Sequence, residues 1–246
     1  MSLEWLYRLD EHRPYDLARK EGKKRLDSQI HYMPLIFESV HVVLPARARV
    51  LSIMAGSCVD AIAIASRYHA EVTCLDLQRK LLVVGAREAG RRKIKLRTIV
   101  ADARELTRHV RGSFDLIAAF GSPLVHLSIS DLDRVVQEVK KVLAKDGLFV
   151  IEQKDMIFGI LPQYPGAMVK NLEPIVVSIH RKFNAGEGYF ERLYYGKKSH
   201  GINRVYLWGP WIIDYVLRKN GFSKVETLPF ADPFFMMQSY LTKAQI

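Results

Sequence analysis

The sequence predicts a doubly wound α/β fold on a mostly parallel, seven-stranded sheet, with N-terminal helices and a small β-hairpin cap insertion. Three observations carry that expectation. From Val50 onward, short apolar runs alternate with helical segments, the pattern of parallel strands buried on both faces and joined by crossover helices. The alternation breaks after Gln153 and resumes at Gly209-Pro210, which marks an insert. With 246 residues, 49% of them hydrophobic and 26% charged, the chain can bury a large core, and its composition excludes a disordered or fibrous protein.

In chain order, Leu26, Ile30, Met33, Phe37 and Val40 fall at helical spacing and form one apolar stripe. Pro34 lies within it and removes a backbone hydrogen bond, so a kink or two short helices are expected rather than one straight helix. Pro45-Ala46-Arg47 then connects to the α/β pattern. Strands are expected near 48–54, 71–76, 95–101, 114–120 and 147–153, with helices from Val59 to Tyr68, Gln78 to Ala89 and Asp131 to Ala144. The last helix has the clearest signals: Leu132, Val135, Val136, Val139, Val142 and Leu143 on one face, Ser130 as N-cap, Asp131 and Asp133 in the first turn, and Gly147 beyond its end. In the insert, Ile175 to Phe183 and Tyr189 to Tyr195 flank Asn184-Ala185-Gly186-Glu187-Gly188 and read as a hairpin. Gly209-Pro210 opens a helix bearing Trp211, Ile212, Tyr215 and Val216, Gly221 closes it, and strands near 223–229 and 234–242 follow. The chain thus divides into an N-terminal helical segment (1–45), an α/β core (46–153 and 207–246) and a cap insertion (154–206).

The formal net charge is +11, and a basic chain invites a polyanion such as nucleic acid. The excess is uneven: residues 41–100 carry 11 basic and 4 acidic groups, with Arg87, Arg91, Arg92, Lys93, Lys95 and Arg97 in one run. Such a run is read as a solvated helix end passing into the next strand. Cys58 and Cys74 are the only cysteines, which excludes a disulfide framework and a Cys-rich zinc site and fits a reducing compartment; no metal is expected. Met1-Ser2-Leu3-Glu4-Trp5 lacks the basic-then-apolar order of a signal peptide, and no stretch reaches about 18 uninterrupted apolar residues, so the expectation is a cytoplasmic protein with no membrane partner.

In an open α/β sheet, ligands bind outside the carboxyl ends of the strands, near the point where strand order reverses. The first strand runs out through Ser52-Ile53-Met54-Ala55-Gly56-Ser57-Cys58, where Gly56 permits close backbone approach and a positive φ. Asp76 follows 20 residues later at the end of the second strand, the distance at which an acid accepts hydrogen bonds from ribose hydroxyls. Asp102 ends the third strand, where it can accept from an exocyclic adenine amine. Together they describe an adenosine pocket.

With those residues in place, the stretch from about 48 to 155 resembles a class I, Rossmann-like S-adenosylmethionine-dependent methyltransferase. Phe114-Asp115-Leu116-Ile117, Phe120-Gly121-Ser122-Pro123-Leu124 and Val142 to Val150 are similar to that family's fourth and fifth strand segments, and Gly221-Phe222 to its C-terminal end. The resemblance implies that S-adenosylmethionine is the cofactor, with the first loop on its amino acid part, Asp76 on ribose and Asp102 on adenine. The implied cofactor residues are Ser52, Ala55, Gly56, Ser57, Asp76, Leu77, Asp102, Ala103, Phe120, Gly121 and Ser122, with Tyr32 as an aromatic cover before the first strand. The family's first loop is acid-x-Gly-x-Gly-x-Gly; here Ser52 stands at the acid position and Met54 and Cys58 at the outer glycines. The sparse glycines also argue against a nicotinamide dinucleotide enzyme.

Methyl transfer from a sulfonium needs alignment more than functional groups, so few catalytic residues are expected. His126 is the nearest titratable candidate base, with a packing role as the alternative. No Asn or Asp followed by Pro-Pro-aromatic ends the fourth strand, which by resemblance weakens a nucleobase-amine acceptor. Aromatics that can wall an acceptor site include Tyr32, Phe158, Tyr164, Phe183, Tyr189, Phe190, Tyr194, Tyr195, Tyr206 and Trp208. The leading expectation is a methyltransferase of a small molecule; the alternatives are an RNA methyltransferase and a non-catalytic relative.

Overall fold

Five of the apolar runs become parallel strands of one sheet: β1 (Arg49–Ile53), β2 (Glu71–Asp76), β3 (Leu96–Val100), β4 (Phe114–Ala119) and β5 (Leu143–Lys154). The computed structural model describes residues 17–154, 157, 166–172, 175–197, 200–231 and 238–246, so Phe158, Tyr164, residues 1–16 and the start of the expected final strand lie outside it. Four strands follow within the insert, β6 (Ala167–Leu172), β7 (Ile175–Asn184), β8 (Tyr189–Gly196) and β9 (His200–Tyr206), and two at the C-terminus, β10 (Lys224–Ala231) and β11 (Gln238–Gln245). The main sheet has the order β10-β11-β5-β4-β1-β2-β3, with β11 antiparallel to both of its neighbours. The chain leaves β1 toward β2 and β3 and returns to β4 on the other side. Strand order therefore reverses between β1 and β4, and the crevice for a ligand lies at their carboxyl ends.

Helices cover both faces. Val50, Cys74, Leu116, Ala118 and Val150 point to the side packed by α1 (Lys20–Ser39), α2 (Val59–Tyr68) and α3 (Arg79–Arg91). Leu51, Ile53, Phe149 and Ile151 point to the side packed by α4 (Ile129–Val142) and α5 (Pro210–Lys219). Adjacent residues of one strand serve opposite cores, which is why these strands read as continuous apolar runs.

The structure corrects three local expectations. α1 is one continuous 20-residue helix despite Pro34. The proline cannot donate to the Ile30 carbonyl one turn back, and Arg67 of α2 takes that acceptor with Nε at 2.8 Å. A long-range donor thus satisfies the group whose loss would otherwise disfavour the helix. The N-cap of α4 is Ser128, not Ser130: its side chain accepts from the Asp131 N–H while Asp131 bonds the Ser128 backbone, a reciprocal capping box. Gly147 does not close α4, because β5 begins at Leu143 directly after the helix; it lies inside β5, where a β-carbon would stand 2.8 Å from the Phe114 carbonyl oxygen.

The insert holds more than the expected hairpin. β7 and β8 form it, turning through Asn184 to Gly188 with Gly188 at φ +67°, and β6 and β9 flank them in an antiparallel sheet of order β6-β7-β8-β9. Ala167-Met168-Val169-Lys170-Asn171-Leu172 and His200-Gly201-Ile202-Asn203-Arg204-Val205-Tyr206 lack regular alternation and carry Gly, Asn and Lys, so local propensity does not announce them. The cap is fastened to the core by Trp208, which is buried and donates Nε1–H to the Leu124 carbonyl at 2.6 Å. Among the described residues no helix is long and apolar enough to cross a membrane.

Candidate active site

The loop after β1 is built from three left-handed residues spaced two apart. Met54, Gly56 and Cys58 have φ of +53°, +52° and +63°. These are the three positions at which the resemblance sets glycines, so the backbone course persists where two of the glycines do not. Each non-glycine in that region costs roughly 1–2 kcal/mol. The loop is held by Ala55 N–H on the Leu75 carbonyl (3.1 Å) and Cys58 N–H on the Ala55 carbonyl (2.8 Å). A β-carbon added to Gly56 would meet nothing within 4 Å, so this part of the loop is open to a ligand. Ser52 lies deeper, buried in β1 beside Cys74 and Ala118.

Asp76 ties the first two strand ends together. Its Oδ2 accepts from the Gly56 N–H at 2.8 Å and its Oδ1 from the Gln78 N–H at 2.7 Å. Burial pushes its carboxyl above the usual carboxylate range, against the backbone N–H groups of Gln78, Gly56 and Leu77 that favour the anion. Leu77 beside it is 62% exposed, an apolar side chain uncovered at the crevice. Asp102 caps the short 3-10 turn that Ala103 begins, accepting from the Arg104 N–H at 2.9 Å. The Arg104 guanidinium then bridges Asp102 (2.6 Å) and Asp131 of α4 (2.7 Å), and its bond to Asp102 lowers that carboxyl's pKa. Sequence reasoning missed Arg104; an Asp-x-Arg spacing at a strand end is the signal that was there to read.

At the end of β4, Phe120 and Ser122 are buried, with Gly121 at φ +82° and Ser122 at φ +57°. Gly121 N–H donates to Glu152 Oε2 at 2.9 Å, and Ser122 Oγ accepts from the Lys154 N–H at 3.1 Å, so two side-chain bonds lock the carboxyl ends of β4 and β5. Glu152 is buried and was not anticipated, because inside an apolar run it reads as core. His126 follows in a second 3-10 turn (Pro123–His126), half-buried, with an enclosed Nδ1 that has no partner among the described residues. Burial pushes its pKa down to about 4. Gln153 Oε1 and Ser239 Oγ are likewise buried without partners, and both lie where β5 and β11 meet the crevice end.

Tyr32 is half-buried on α1, its ring edge-on to His31 at 5.1 Å. One turn before it, Gln29 donates to Asp60 in the first turn of α2 at 2.7 Å, so α1 reaches the back of the β1 loop. Of the other aromatics, Tyr189, Phe190, Tyr194 and Trp208 are buried, whereas Phe183 and Tyr195 are exposed. The basic run is partly neutralised: Arg92 pairs with Asp27 (2.7 Å) and Glu88 (3.0 Å), and Arg91 with Glu88 (3.3 Å). Lys95 and Arg97 lie at β3, the sheet edge, where charge discourages strand addition. No group of metal-ligating side chains occurs among the described residues.

A doubly wound sheet with acids closing β2 and β3 and a left-handed loop closing β1 is the strand-end arrangement of a class I methyltransferase fold. Residues 50–147 match the family model described as "Methyltransferase domain", and the seven-stranded sheet that holds them has the fold of class I methyltransferases. The chain is 31% identical over 86 residues to a glycine/sarcosine N-methyltransferase of Aphanothece halophytica, covering 35% of this chain and 32% of that protein. It is 37% identical over 103 residues to a malonyl-[acyl-carrier protein] O-methyltransferase of Geobacter sulfurreducens, covering 42% of this chain and 37% of the relative. The matches thus span about a third of the length of these curated relatives. In fold it is similar to an S-adenosylmethionine-dependent methyltransferase from Clostridium acetobutylicum, at a TM-score of 0.70 and 12% identity, over 90% of this chain and 92% of that one.

Proposed function

We propose that the chain is an S-adenosylmethionine-dependent methyltransferase acting on a small-molecule acceptor. The observation that carries this reading is the linked strand-end site: the left-handed turn at Met54, Gly56 and Cys58, joined through the Gly56 N–H to Asp76. The residues fit the cofactor, since the open face of Gly56 leaves room for its amino acid part and the Asp76 carboxylate keeps lone pairs for ribose hydroxyls. Asp102 stands where the resemblance sets the adenine amine, with both carboxylate oxygens already accepting from Arg104, and Leu77 gives the base an apolar surface. When bound, the cofactor supplies an electrophilic methyl group on a sulfonium sulfur. Phe120, Gly121 and Ser122 border that end of the crevice, and the tie from Gly121 to Glu152 holds them. An amine or hydroxyl acceptor gives up a proton on methylation. At neutral pH His126 is an uncharged imidazole, and a pKa of about 4 makes it a weak acceptor for that proton.

The two curated relatives are named for an amino acid and a carrier-bound acyl acceptor, which supports a small acceptor group. Calorimetry with S-adenosylmethionine and S-adenosylhomocysteine tests the reading: binding of both is expected, and no heat at millimolar ligand refutes it.

The His126 environment gives a pH prediction with a definite sign. Its folded pKa is about 4 against an ordinary 6.5, so in that interval the unfolded chain binds a proton that the native state does not. Native stability therefore falls as pH drops from about 6.5 toward 4. His126→Gln is expected to flatten this limb in melting temperatures recorded between pH 7 and 4. An acid dependence identical to wild type contradicts the assignment.

A further inference from the structure

A glycine in the middle of a helix is disfavoured relative to alanine, so Gly85, at the seventh position of α3, calls for a reason. A β-carbon built on it would fall inside any real contact distance of the Ser57 carbonyl oxygen, and 2.9 Å from both Cys58 Sγ and the Ser57 carbonyl carbon. Two of those three atoms are backbone, which cannot turn aside as the tip of a long side chain does. Gly90 in the same helix differs: a β-carbon there would meet nothing within 4 Å.

The loop explains the difference. Where the resemblance sets a third glycine, this chain has Cys58 at φ +63°, fully buried, and the room that a glycine would leave on the loop side must be left by the other partner. Helix α3 leaves it. The Ser57 carbonyl oxygen is thereby tucked against α3; a carbonyl turned instead toward the cofactor's amino acid part would set its lone pairs against that carboxylate.

We infer that Gly85 is a positioning residue for the amino acid end of the cofactor, acting through the Ser57–Cys58 peptide. The inference rests on the cofactor reading above. It makes a demand that general destabilisation does not: adenosine is held from β2 and β3, so a displaced β1 loop should weaken ligands that carry the amino acid part more than those that lack it.

S-Adenosylhomocysteine and 5′-methylthioadenosine differ in that part, and calorimetry with both, together with melting temperatures, provides the test. Gly90→Ala is expected to bind both ligands as wild type does. Gly85→Ala is expected to bind S-adenosylhomocysteine about tenfold more weakly or worse, with methylthioadenosine changed less than about threefold. If Gly85→Ala alone does not fold, the comparison is made on the double variant Cys58→Gly/Gly85→Ala, which removes the sulfur contact but leaves the Ser57 carbonyl against the new methyl; a smaller loss with the same ligand selectivity is expected. An unchanged affinity for S-adenosylhomocysteine, or an equal loss of both ligands, overturns the inference. A wild-type chain that binds neither ligand overturns the cofactor reading itself and the inference with it.

Discussion

Asp76→Ala is expected to weaken S-adenosylmethionine binding by roughly 1–3 kcal/mol, a rise of about fivefold to more than a hundredfold in the dissociation constant. Two losses combine. The carboxylate no longer accepts from the ribose hydroxyls, and the N–H groups of Gly56 and Gln78, now held at 2.8 and 2.7 Å, lose their acceptor. The second loss also loosens the loop from β2, so melting temperature should fall with affinity. Asp76→Asn separates the two: one amide oxygen remains to accept, while the NH₂ meets an N–H that needs an acceptor. An intermediate affinity is expected for Asn, measured by calorimetry on protein shown to be folded at the working temperature. Affinity unchanged from wild type in the Ala variant would refute the role assigned to Asp76.

Trp208→Ala is expected to have the largest effect on stability. The side chain is buried to 1% exposure in the core under α4 and α5, and its indole N–H satisfies the Leu124 carbonyl. Truncating such a residue costs about 3–5 kcal/mol through lost transfer energy and the cavity left behind. In a chain of this size that is a fall of about 10 °C in melting temperature. Trp208→Phe keeps most of the volume and loses only the hydrogen bond, so a smaller fall of about 1–3 kcal/mol is expected. Because Trp208 fastens the cap sheet to the turn after β4 and not to the β1 loop, cofactor affinity in Trp208→Phe should stay within about twofold of wild type. A loss of cofactor affinity as large as that of Asp76→Ala would place Trp208 in the cofactor site instead.

These two residues differ in how far the sequence discloses them. Asp76 is legible because strand ends can be read from apolar runs and its distance from Gly56 is fixed along the chain. β2 and α2 fall on their expected residues, and β1, β3 and β4 within one residue at either end. The tie from Trp208 to Leu124 spans 84 residues and leaves no local trace. The same holds for Arg67, whose bond to the Ile30 carbonyl lets α1 run through Pro34. Helix propensity counts only the missing N–H, whereas the folded chain supplies a donor from another helix. Ser130 and Ser128 are both acceptable caps by residue type; the choice of Ser128 rests on Asp131 standing three residues on to complete the box. β6 and β9 become strands because β7 and β8 offer them edges, not because their own residues prefer it.

The sequence by itself determined the alternation of strand and helix, and hence the doubly wound sheet, since a run buried on both faces must be apolar throughout. It also set acids at the ends of β2 and β3. Only the tertiary structure decided that Met54 and Cys58 adopt the backbone of absent glycines, that Gly85 leaves room for the Ser57–Cys58 peptide, and that Arg104 holds Asp102. The physical reason is common to all three. A positive φ, a close approach and an ion pair are each settled by what the neighbouring element offers, and neighbours in space are not written as neighbours in the chain.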